Sequence, residues 1–268
     1  MICTMKNISA GLVAATLAGV LLSLPQTAFS QTPPSSSNAS AQTGDTAGGS
    51  AAARLDKKQY RDVKVSVDNG IATLTGTVNL YVDKADAEKR VRKAKGVTAV
   101  RNLIQVTGPD VPDSVLWSKL GEKLEYDRVF YGNAFNAISI SVQNGVVTLG
   151  GHALSYISRN SALDLVSYYP GVKDMVDEIQ VDPVSIFDGR IRIQVYRAVY
   201  GYPSLRRYAV DPGKPIRISV QNGHVELYGT VDSQADKDTA YIRANGVPGV
   251  FEVKNYLRVA EQPAKKQK

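Results

Sequence analysis

One spacing of glycines occurs three times in this chain. In each copy an Asn-Gly pair is followed six residues later by a second glycine, and twenty residues after that by a Gly-Val pair. The glycines are Gly70, Gly76 and Gly96; Gly145, Gly151 and Gly171; and Gly223, Gly229 and Gly249. A spacing kept three times predicts a repeated structural unit.

Asn-Gly between two alternating apolar runs predicts a β-hairpin, because a type I′ turn needs positive φ at both central residues. The three runs are VKVSVDNGIATLTG, ISISVQNGVVTLGG and IRISVQNGHVELYG. One face of each hairpin is then apolar and the other polar, so the sheet is expected to be buried on one side. The glycine that ends each second strand predicts a close approach by another part of the chain. The predicted partners include Val67 with Ala72, Ile140 with Leu149, and Ile216 with Gly229.

A helical stretch follows each hairpin and ends at the Gly-Val pair. Its predicted buried stripe begins at Val82 in the first copy, at Ile157 in the second and at Ala235 in the third. An alternating strand comes last, and the order strand, helix, strand implies a parallel pair with a right-handed crossover. The predicted fold class is therefore α+β: three tandem small domains, each a mixed three-stranded β-sheet with helices on one face.

The run I/V-x-V-x-N-G-x-V-x-L-x-G, an Ala-bearing helix, and then G-V-x-x-V-x-N-x-L-x-V together resemble the BON domain, a family found in bacterial envelope and osmotic-stress proteins. The second copy departs from this pattern, since Asp177 stands in place of Asn and Met175 in place of Val. The resemblance implies a helix before each hairpin. Asp113 is the predicted N-cap of that helix in the second copy. In the third copy Ile191, Ile193 and Val195 also alternate, which leaves a strand as the alternative, but alignment with the second copy favours a helix.

The amino terminus has the layout of a secretory signal peptide. Lys6 precedes an apolar run over 8–24, and the small residues Ala28 and Ser30 follow. The alternative is a retained membrane anchor. The predicted organisation is a signal peptide at 1–30, a disordered linker at 31–50, BON domain 1 at 51–108 with a short first helix, BON domain 2 at 112–183, BON domain 3 at 186–260, and a basic tail at 261–268.

Basic and aromatic residues alternate in RIRIQVYRAVYGYPSLRRYAV, which begins at Arg190. The chain has a formal net charge of +7, and cations with aromatic rings are typical of a surface that meets anionic headgroups. The alternative is a helix and loop with packed tyrosines and solvated arginines. A second basic stretch, KADAEKRVRKAK over 84–95, is another candidate surface, and its favoured alternative is a solvated helix face with paired charges. The candidate membrane-contact residues are Arg197, Tyr200, Tyr202, Arg206 and Arg207.

The sequence carries no recognisable catalytic constellation. His152 and His224 lie at or near predicted strand ends, without cysteines or clustered carboxylates to complete a metal site. Asp232, Asp236 and Asp238 lie at a predicted helix start, where the macrodipole favours acidic residues. We therefore expect a non-enzymatic protein without a cofactor or a bound metal.

The resemblance to the BON family implies phospholipid binding and a role at the cell envelope. The expected partner is an anionic phospholipid surface, bound weakly by each unit and more tightly by linked units. The expected location is the periplasm, peripheral at a membrane. Nucleic acid is not an expected partner. Two alternatives stay open: a periplasmic chaperone or adaptor that binds envelope proteins through Phe130, Tyr131 and Phe135, and a structural spacer.

Overall fold

The computed structural model describes residues 39–128 and 132–260. The predicted signal peptide, the basic tail, and Phe130 and Tyr131 of the long connection lie outside these ranges. We call residues 39–108 domain 1, residues 112–183 domain 2, and residues 186–260 domain 3.

Domain 1 combines an antiparallel hairpin with a parallel strand that follows a crossover helix. Strand β2 lies in the centre of the sheet, antiparallel to β1 and parallel to β3 and β4. A 3-10 helix at Lys58–Tyr60 precedes the hairpin. The elements are α1 (Ala39–Ala53), β1 (Val63–Asp68), β2 (Ile71–Val78), α2 (Tyr81–Val91), β3 (Ala99–Asn102) and β4 (Gln105–Val106).

Domain 2 repeats this arrangement with a longer connection before its hairpin. Strand β6 is central, antiparallel to β5 and parallel to β7 and β8. A 3-10 helix at Asn133–Phe135 lies within the long connection. The elements are α3 (Asp113–Tyr126), β5 (Ala137–Gln143), β6 (Val146–Ala153), α4 (Tyr156–Ser167), β7 (Asp174–Asp177) and β8 (Gln180–Val181).

Domain 3 has the same order, and the segment at 186–200 is a helix rather than the alternative strand. Ile191, Val195 and Val199 lie on one side of this helix and are buried in the core. A 3-10 helix at Pro203–Ala209 follows it. The predicted α+β class of three tandem small domains is confirmed. The elements are α5 (Ile186–Tyr200), β9 (Arg217–Gln221), β10 (His224–Tyr228), β11 (Thr230–Val231), α6 (Gln234–Asn245), β12 (Glu252–Asn255) and β13 (Arg258–Val259).

The hairpin registers follow from the Asn-Gly turns. Val67 pairs with Ala72 and Ile140 pairs with Leu149, as predicted. In domain 3 the ladder ends one pair earlier, at Arg217 with Tyr228. The predicted pair that includes Ile216 therefore lies outside the ladder. Pro215, which has no N–H to donate, immediately precedes it.

Helix α1 corrects the predicted disordered linker, because residues 39–50 of that stretch are helical. Ala51 and Leu55 belong to the core of domain 1, and Ala47, one turn earlier, is buried. Ser50 Oγ accepts a hydrogen bond from the Lys95 amide at 3.1 Å. The sequence signal was a four-residue period of mostly small side chains, which the Ser-, Gly- and Ala-rich composition concealed.

Helices α3 and α5 are tied to the hairpin turns by an acid in their first turn. The sequence predicts Asp113 as an N-cap, but α3 begins at Asp113 itself. Its carboxylate accepts the amide N–H groups of Asn144 and Gly145 at 2.6 and 2.8 Å. Asp188 of α5 binds the turn of domain 3 in the same way, at 3.0 and 2.9 Å. The acid therefore holds a turn and not the end of its own helix.

The crossover helices bury the middle of each predicted stripe, but the stripe begins one residue later than predicted in α4 and α6. Ile157 and Ala235 are exposed, whereas the following residues, Ser158 and Asp236, are buried. The cause is a serine cap, since a serine three residues before each buried residue accepts its amide N–H. The prediction of burial at Ile157 and Ala235 is wrong. The residues buried from the stripes include Ala87, Val91, Ala162, Val166, Ala240 and Ala244.

A bend interrupts the last strand of each unit, which the sequence predicts as continuous. In domain 1 the Asn102 side-chain oxygen accepts the Ile104 N–H at 3.2 Å, and its amide donates to the Lys84 carbonyl of α2 at 3.0 Å. Asn255 makes the equivalent two bonds in domain 3. The asparagine of the repeated pattern therefore bends the strand and fastens it to the crossover helix.

Asp177 occupies this position in domain 2, where it keeps the bond that bends the strand and replaces the bond to the crossover helix. Its carboxylate still accepts the Ile179 N–H, at 3.1 Å. A carboxylate has no N–H to donate to the helix, and Asp177 forms an ion pair with Arg159 of α4 instead. The bend is thus kept and its link to the helix is ionic.

A buried polar cluster joins domain 2 to domain 3. The Asp182 carboxylate, in a residue that is 2% exposed, accepts hydrogen bonds from Ser219 at 3.2 Å and Gln221 at 3.0 Å. Arg192 Nη2 lies 3.3 Å and His152 Nδ1 3.4 Å from this carboxylate. Burial alone would raise the pKa of Asp182, but hydrogen bonds from His152 and Gln221 and the charge of Arg192 hold it below its usual value.

Apolar contacts also cross between neighbouring domains. Tyr81 of domain 1 packs against the core of domain 2, and Lys84 Nζ lies 3.0 Å from Asp174. Phe135 of domain 2 packs against the core of domain 3, with its ring 5.6 Å from that of Tyr196. Phe135 therefore contributes to the core of the next unit along the chain.

Candidate functional site

The five predicted contact residues lie where α5 ends and the 3-10 helix of domain 3 begins. Arg197, Tyr202 and Arg206 are exposed at the surface. Tyr200 and Arg207 make bonds that hold domain 3 together. The structure therefore brings four of the five to the surface, and of these Arg207 is engaged in ion pairs within domain 3.

Tyr200 is part of the domain 3 core. It is 7% exposed, and its hydroxyl donates a hydrogen bond to the Ile216 carbonyl at 2.7 Å. Its ring lies 4.7 Å from that of Tyr196. Burial raises the pKa of the Tyr200 hydroxyl. Its place in the core excludes this side chain from a surface contact.

Arg207 fastens the 3-10 helix to the start of α6. Its guanidinium lies 3.1 Å from Asp232 and forms a second ion pair with Asp236. The Tyr208 hydroxyl also donates to Asp236, at 3.0 Å. Burial alone would raise the pKa of Asp236, but hydrogen bonds from Ser233 and Tyr208 and the charge of Arg207 lower it. The charge of Arg207 is thus neutralised within the domain.

A groove between α5 and the C-terminal end of α6 continues from Arg197. It consists of two adjoining depressions of about 320 and 500 Å³, and Gln194 and Pro248 line both. Phe187 and Ile242 are 76% and 64% exposed. We call this surface the α5–α6 face, defined by Phe187, Arg190, Gln194, Arg197, Ile242, Arg243 and Pro248.

Three arginines make the α5–α6 face positive. Within residues 39–128 and 132–260, Arg190 and Arg197 have no acidic partner. Arg243 donates to a backbone carbonyl of α5 at 3.2 Å, and its guanidinium lies 5.5 Å from the Tyr202 ring centroid. Asp188, the acid that lines the groove, is buried with its carboxylate on the turn amides. The face therefore combines exposed apolar side chains with cations that are not neutralised.

The other basic stretch, over 84–95, differs in this respect. Lys84 pairs with Asp174 of domain 2, and Arg90 Nε lies 2.6 Å from Asp86. Arg92 is paired with Glu88, one turn earlier. This matches the expected solvated helix face with paired charges, so its positive potential is weaker than its composition suggests.

Sequence reasoning missed part of the α5–α6 face, and neighbouring arginines in and just beyond the predicted basic run are paired elsewhere. Phe187, in the first turn of an amphipathic helix, is typical of a core residue, and nothing in the spacing of α6 indicated that Arg243 faces α5. Arg192 belongs to the same basic run but is buried on Asp182. Arg217 lies 3.3 Å from Glu125 of domain 2. Opposite charges from other elements, which the local pattern does not show, decide which cations remain available.

The two histidines each contact carboxylates. His152 lies beside Asp182 and 3.6 Å from Glu226, and His224 Nδ1 lies 3.1 Å from Glu252.

Among the described residues, no group of three or more His, Cys, Asp or Glu side chains is placed to hold a metal ion. In the same part of the chain, no helix combines the length and apolar character needed to cross a bilayer.

The sequence pattern of the BON domain matches three segments, residues 49–108, 112–183 and 204–261. The third match begins after α5, although α5 packs in the core of domain 3. Osmotically-inducible protein Y of Escherichia coli strain K12 is 29% identical to this chain over 163 residues, which is 59% of this chain and 78% of that protein.

The solved structures that resemble this chain include the following two. The C-terminal domain of CdsD, a structural protein of the type III secretion system of Chlamydia trachomatis, is 17% identical, covering 80% of this chain and 96% of that one, with a TM-score of 0.23. The PrgH periplasmic domain is 10% identical, covering 75% of this chain and 96% of that one, with a TM-score of 0.18. At these TM-scores neither likeness enters the argument.

Proposed function

The chain belongs to the BON domain family, and from this premise we propose that it is an exported, non-enzymatic envelope protein that binds anionic phospholipid surfaces through domain 3. The observation that carries the proposal is the α5–α6 face, where Arg190 and Arg197, which have no acidic partner in the part of the chain that the structure describes, lie beside exposed Phe187 and Ile242. The location is the periplasm, peripheral at a membrane. The name of the Escherichia coli relative, osmotically-inducible protein Y, supports a role in osmotic stress, and we propose that this role concerns the integrity of the envelope.

Charge supplies the attraction to the membrane in this proposal. Each arginine near an anionic bilayer contributes about 1 kcal/mol, and the effect falls off within a Debye length. Arg190, Arg197 and Arg243 share the face, and exposed Arg206 adds a fourth cation on the neighbouring 3-10 helix. A surface of this kind binds peripherally and releases at high salt.

Apolar side chains supply the second contribution. Phe187 and Ile242 reach into the headgroup region, as the apolar side of an interfacial helix does. Tyr202, stacked near Arg243, is 41% exposed and lies at the level where amphipathic rings are favoured. Tyr200 and Arg207 are left out of this contact set because one is buried and the other is paired.

The test is co-sedimentation of the purified protein with vesicles of graded anionic lipid content at low and high salt. Wild-type binding is expected to grow with anionic content and to fall with salt. The double variant Arg190→Gln/Arg197→Gln should bind about 30-fold more weakly, since two cations of about 1 kcal/mol each are lost.

The matched control is Arg54→Gln/Arg101→Gln, which removes the same charge from exposed positions of domain 1 that also have no acidic partner among the described residues. We expect this variant to lose only the small non-specific part of the attraction. Equal losses from both double variants would show that net charge and not the α5–α6 face carries the binding. Absence of binding at every lipid composition would overturn the proposal and favour the chaperone or adaptor alternative.

A further inference from the structure

We propose that the cleft between domains 2 and 3 is a binding site for an acidic polysaccharide, a chain of pyranose rings that carry carboxylates. The cleft has a volume of about 540 Å³ and is lined by side chains of both domains. On the domain 3 side it lies beyond Gly229, at the end of the hairpin opposite its Asn222 turn, so it is distinct from the α5–α6 face. Its central residues are Trp117, Ser139, Lys214, Tyr228, Tyr256 and Arg258.

Aromatic rings from both domains line this cleft. Trp117, the single tryptophan of the chain, is 56% exposed on the domain 2 side. On the domain 3 side the Tyr228 and Tyr256 rings are stacked, with centroids 5.1 Å and planes 17° apart, and Tyr256 is 50% exposed. Flat, rigid, exposed rings offer large apolar faces to a ligand at low entropic cost. The C–H faces of pyranose rings are apolar surfaces of matching size.

The free charge of the cleft is positive. Its two acids are already paired, since Glu125 lies 3.3 Å from Arg217 and Asp232 lies 3.1 Å from Arg207. Lys214 and Arg258 are exposed, and over the described ranges neither has an acidic partner. Two cations that remain available beside aromatic rings favour a ligand with carboxylates over a neutral one.

Polar groups that suit sugar hydroxyls also line the cleft. Ser139 of β5 and Thr230 of β11 are both exposed in the cleft. A hydroxyl both donates and accepts, which suits the alternating demands of a sugar ring.

A peptide fits this cleft less well. The usual way to add a peptide here would be to extend the edge strand β5, which needs free backbone carbonyls. Trp117 Nε1 already donates to the Ile140 carbonyl of that strand, at 3.3 Å. On the domain 3 side, Pro215 precedes β9 and has no N–H to offer. Single-stranded nucleic acid would match the rings and cations, and its exclusion rests on the export stated in the proposed function.

The experiment titrates the purified protein with hexagalacturonate at low salt, followed by Trp117 fluorescence and by calorimetry. We expect saturable binding that weakens with salt, and binding of the neutral cellohexaose at least about tenfold weaker. Lys214→Gln/Arg258→Gln and Tyr256→Ala should each weaken hexagalacturonate binding by about tenfold or more. Unchanged far-ultraviolet circular dichroism establishes that these variants fold.

Two controls separate this site from the surface of the proposed function. Tyr168→Ala removes an exposed ring outside the cleft and should leave hexagalacturonate binding unchanged. Arg190→Gln/Arg197→Gln should lose vesicle binding but keep hexagalacturonate binding, and the cleft variants should do the opposite. No binding at millimolar hexagalacturonate, wild-type binding by the cleft variants, or a preference for an oligothymidylate of equal charge would each overturn the proposal, whatever the vesicles show.

Discussion

Three glycines near the end of the second hairpin strands combine a positive φ with a backbone carbonyl close to the position of an added Cβ. Gly151 has a φ of 84°, and a Cβ added to it would lie 2.0 Å from the Ala137 carbonyl oxygen. A Cβ added to Gly76 would lie 2.0 Å from the Asp62 carbonyl oxygen, and one added to Gly229 would lie 2.7 Å from the Pro215 carbonyl oxygen. The sequence predicts a close approach here, and the structure identifies the approaching group as backbone. A side chain therefore fails both on conformation and on space.

Replacing Gly151 with alanine is expected to lower the free energy of unfolding of domain 2 by about 3 kcal/mol or more, because the left-handed backbone and the carbonyl clash act together. Urea unfolding followed by the fluorescence of Trp117, which lies in domain 2, measures this loss. The control is Gly121→Ala in α3, where nothing lies within 4 Å of the added carbon. That change should stabilise by up to about 1 kcal/mol. Similar urea midpoints of unfolding for Gly151→Ala and Gly121→Ala would contradict the requirement for glycine at position 151.

At the scale of elements, periodicity predicts what each stretch forms but not what fastens it. The hairpins, the crossover helices and α5 follow from spacing because their apolar residues repeat at two or at about four residues. Helix α1 was missed because its buried residues are mainly alanines in a polar stretch. The bend at Asn102 was also missed, since it depends on a side chain that reaches the Lys84 carbonyl of a different element.

Asp188 provides a test of how a helix is held to its hairpin. It is buried, and its carboxylate satisfies two turn amides, so Asp188→Ala should lower the free energy of unfolding of domain 3 by about 2–4 kcal/mol. Asp113→Ala should cost domain 2 less, because Asp113 is partly exposed and solvent can replace its bonds. Hydrogen exchange at the amides of Asn222 and Gly223 reports the loss directly.

The control for this prediction is Asp83→Ala, which removes an acid from the first turn of α2 and thus the same macrodipole contribution. Burial raises the pKa of Asp83, so its removal should cost little. If Asp83→Ala and Asp188→Ala destabilise their domains equally, the turn bonds are not the cause.

At the scale of the whole molecule, the contacts between domains could not be predicted. The cluster around Asp182 draws on β6, α5 and β9, and no spacing in the chain relates these elements to one another. The same holds for the α5–α6 face, where the sequence indicated Arg197 but not Arg243. Charge and aromatic content predicted the region of the candidate site, and packing between elements decided its members.

We call the buried cluster around Asp182, where domains 2 and 3 meet, the joint. Its contribution to the free energy of unfolding should depend on pH through His152. A hydrogen bond to Asp182 raises the pKa of His152 against the opposing effect of burial, and the charges of Asp182 and Glu226 raise it further. Arg192 is held by Asp182, and the two domains are also linked by the ion pair of Arg217 with Glu125. Because the folded-state pKa lies above the unfolded value of 6.5, protonated His152 stabilises the joint below about pH 6.5. This contribution is lost as the pH rises through the folded-state pKa.

We therefore expect the difference in free energy of unfolding between wild type and His152→Asn to shrink between pH 6 and pH 8, measured by urea unfolding with Trp117 as the probe. The loss should be partial, because neutral His152 Nδ1 can still accept a hydrogen bond from Gln221 Nε2, 3.1 Å away. His224→Asn removes the other histidine of the chain, which is 44% exposed on its side chain, and should keep the wild-type pH dependence. If the free energy of unfolding of His152→Asn depends on pH as that of the wild type does, the pH response lies outside the joint. The same conclusion follows if His224→Asn loses the wild-type pH dependence.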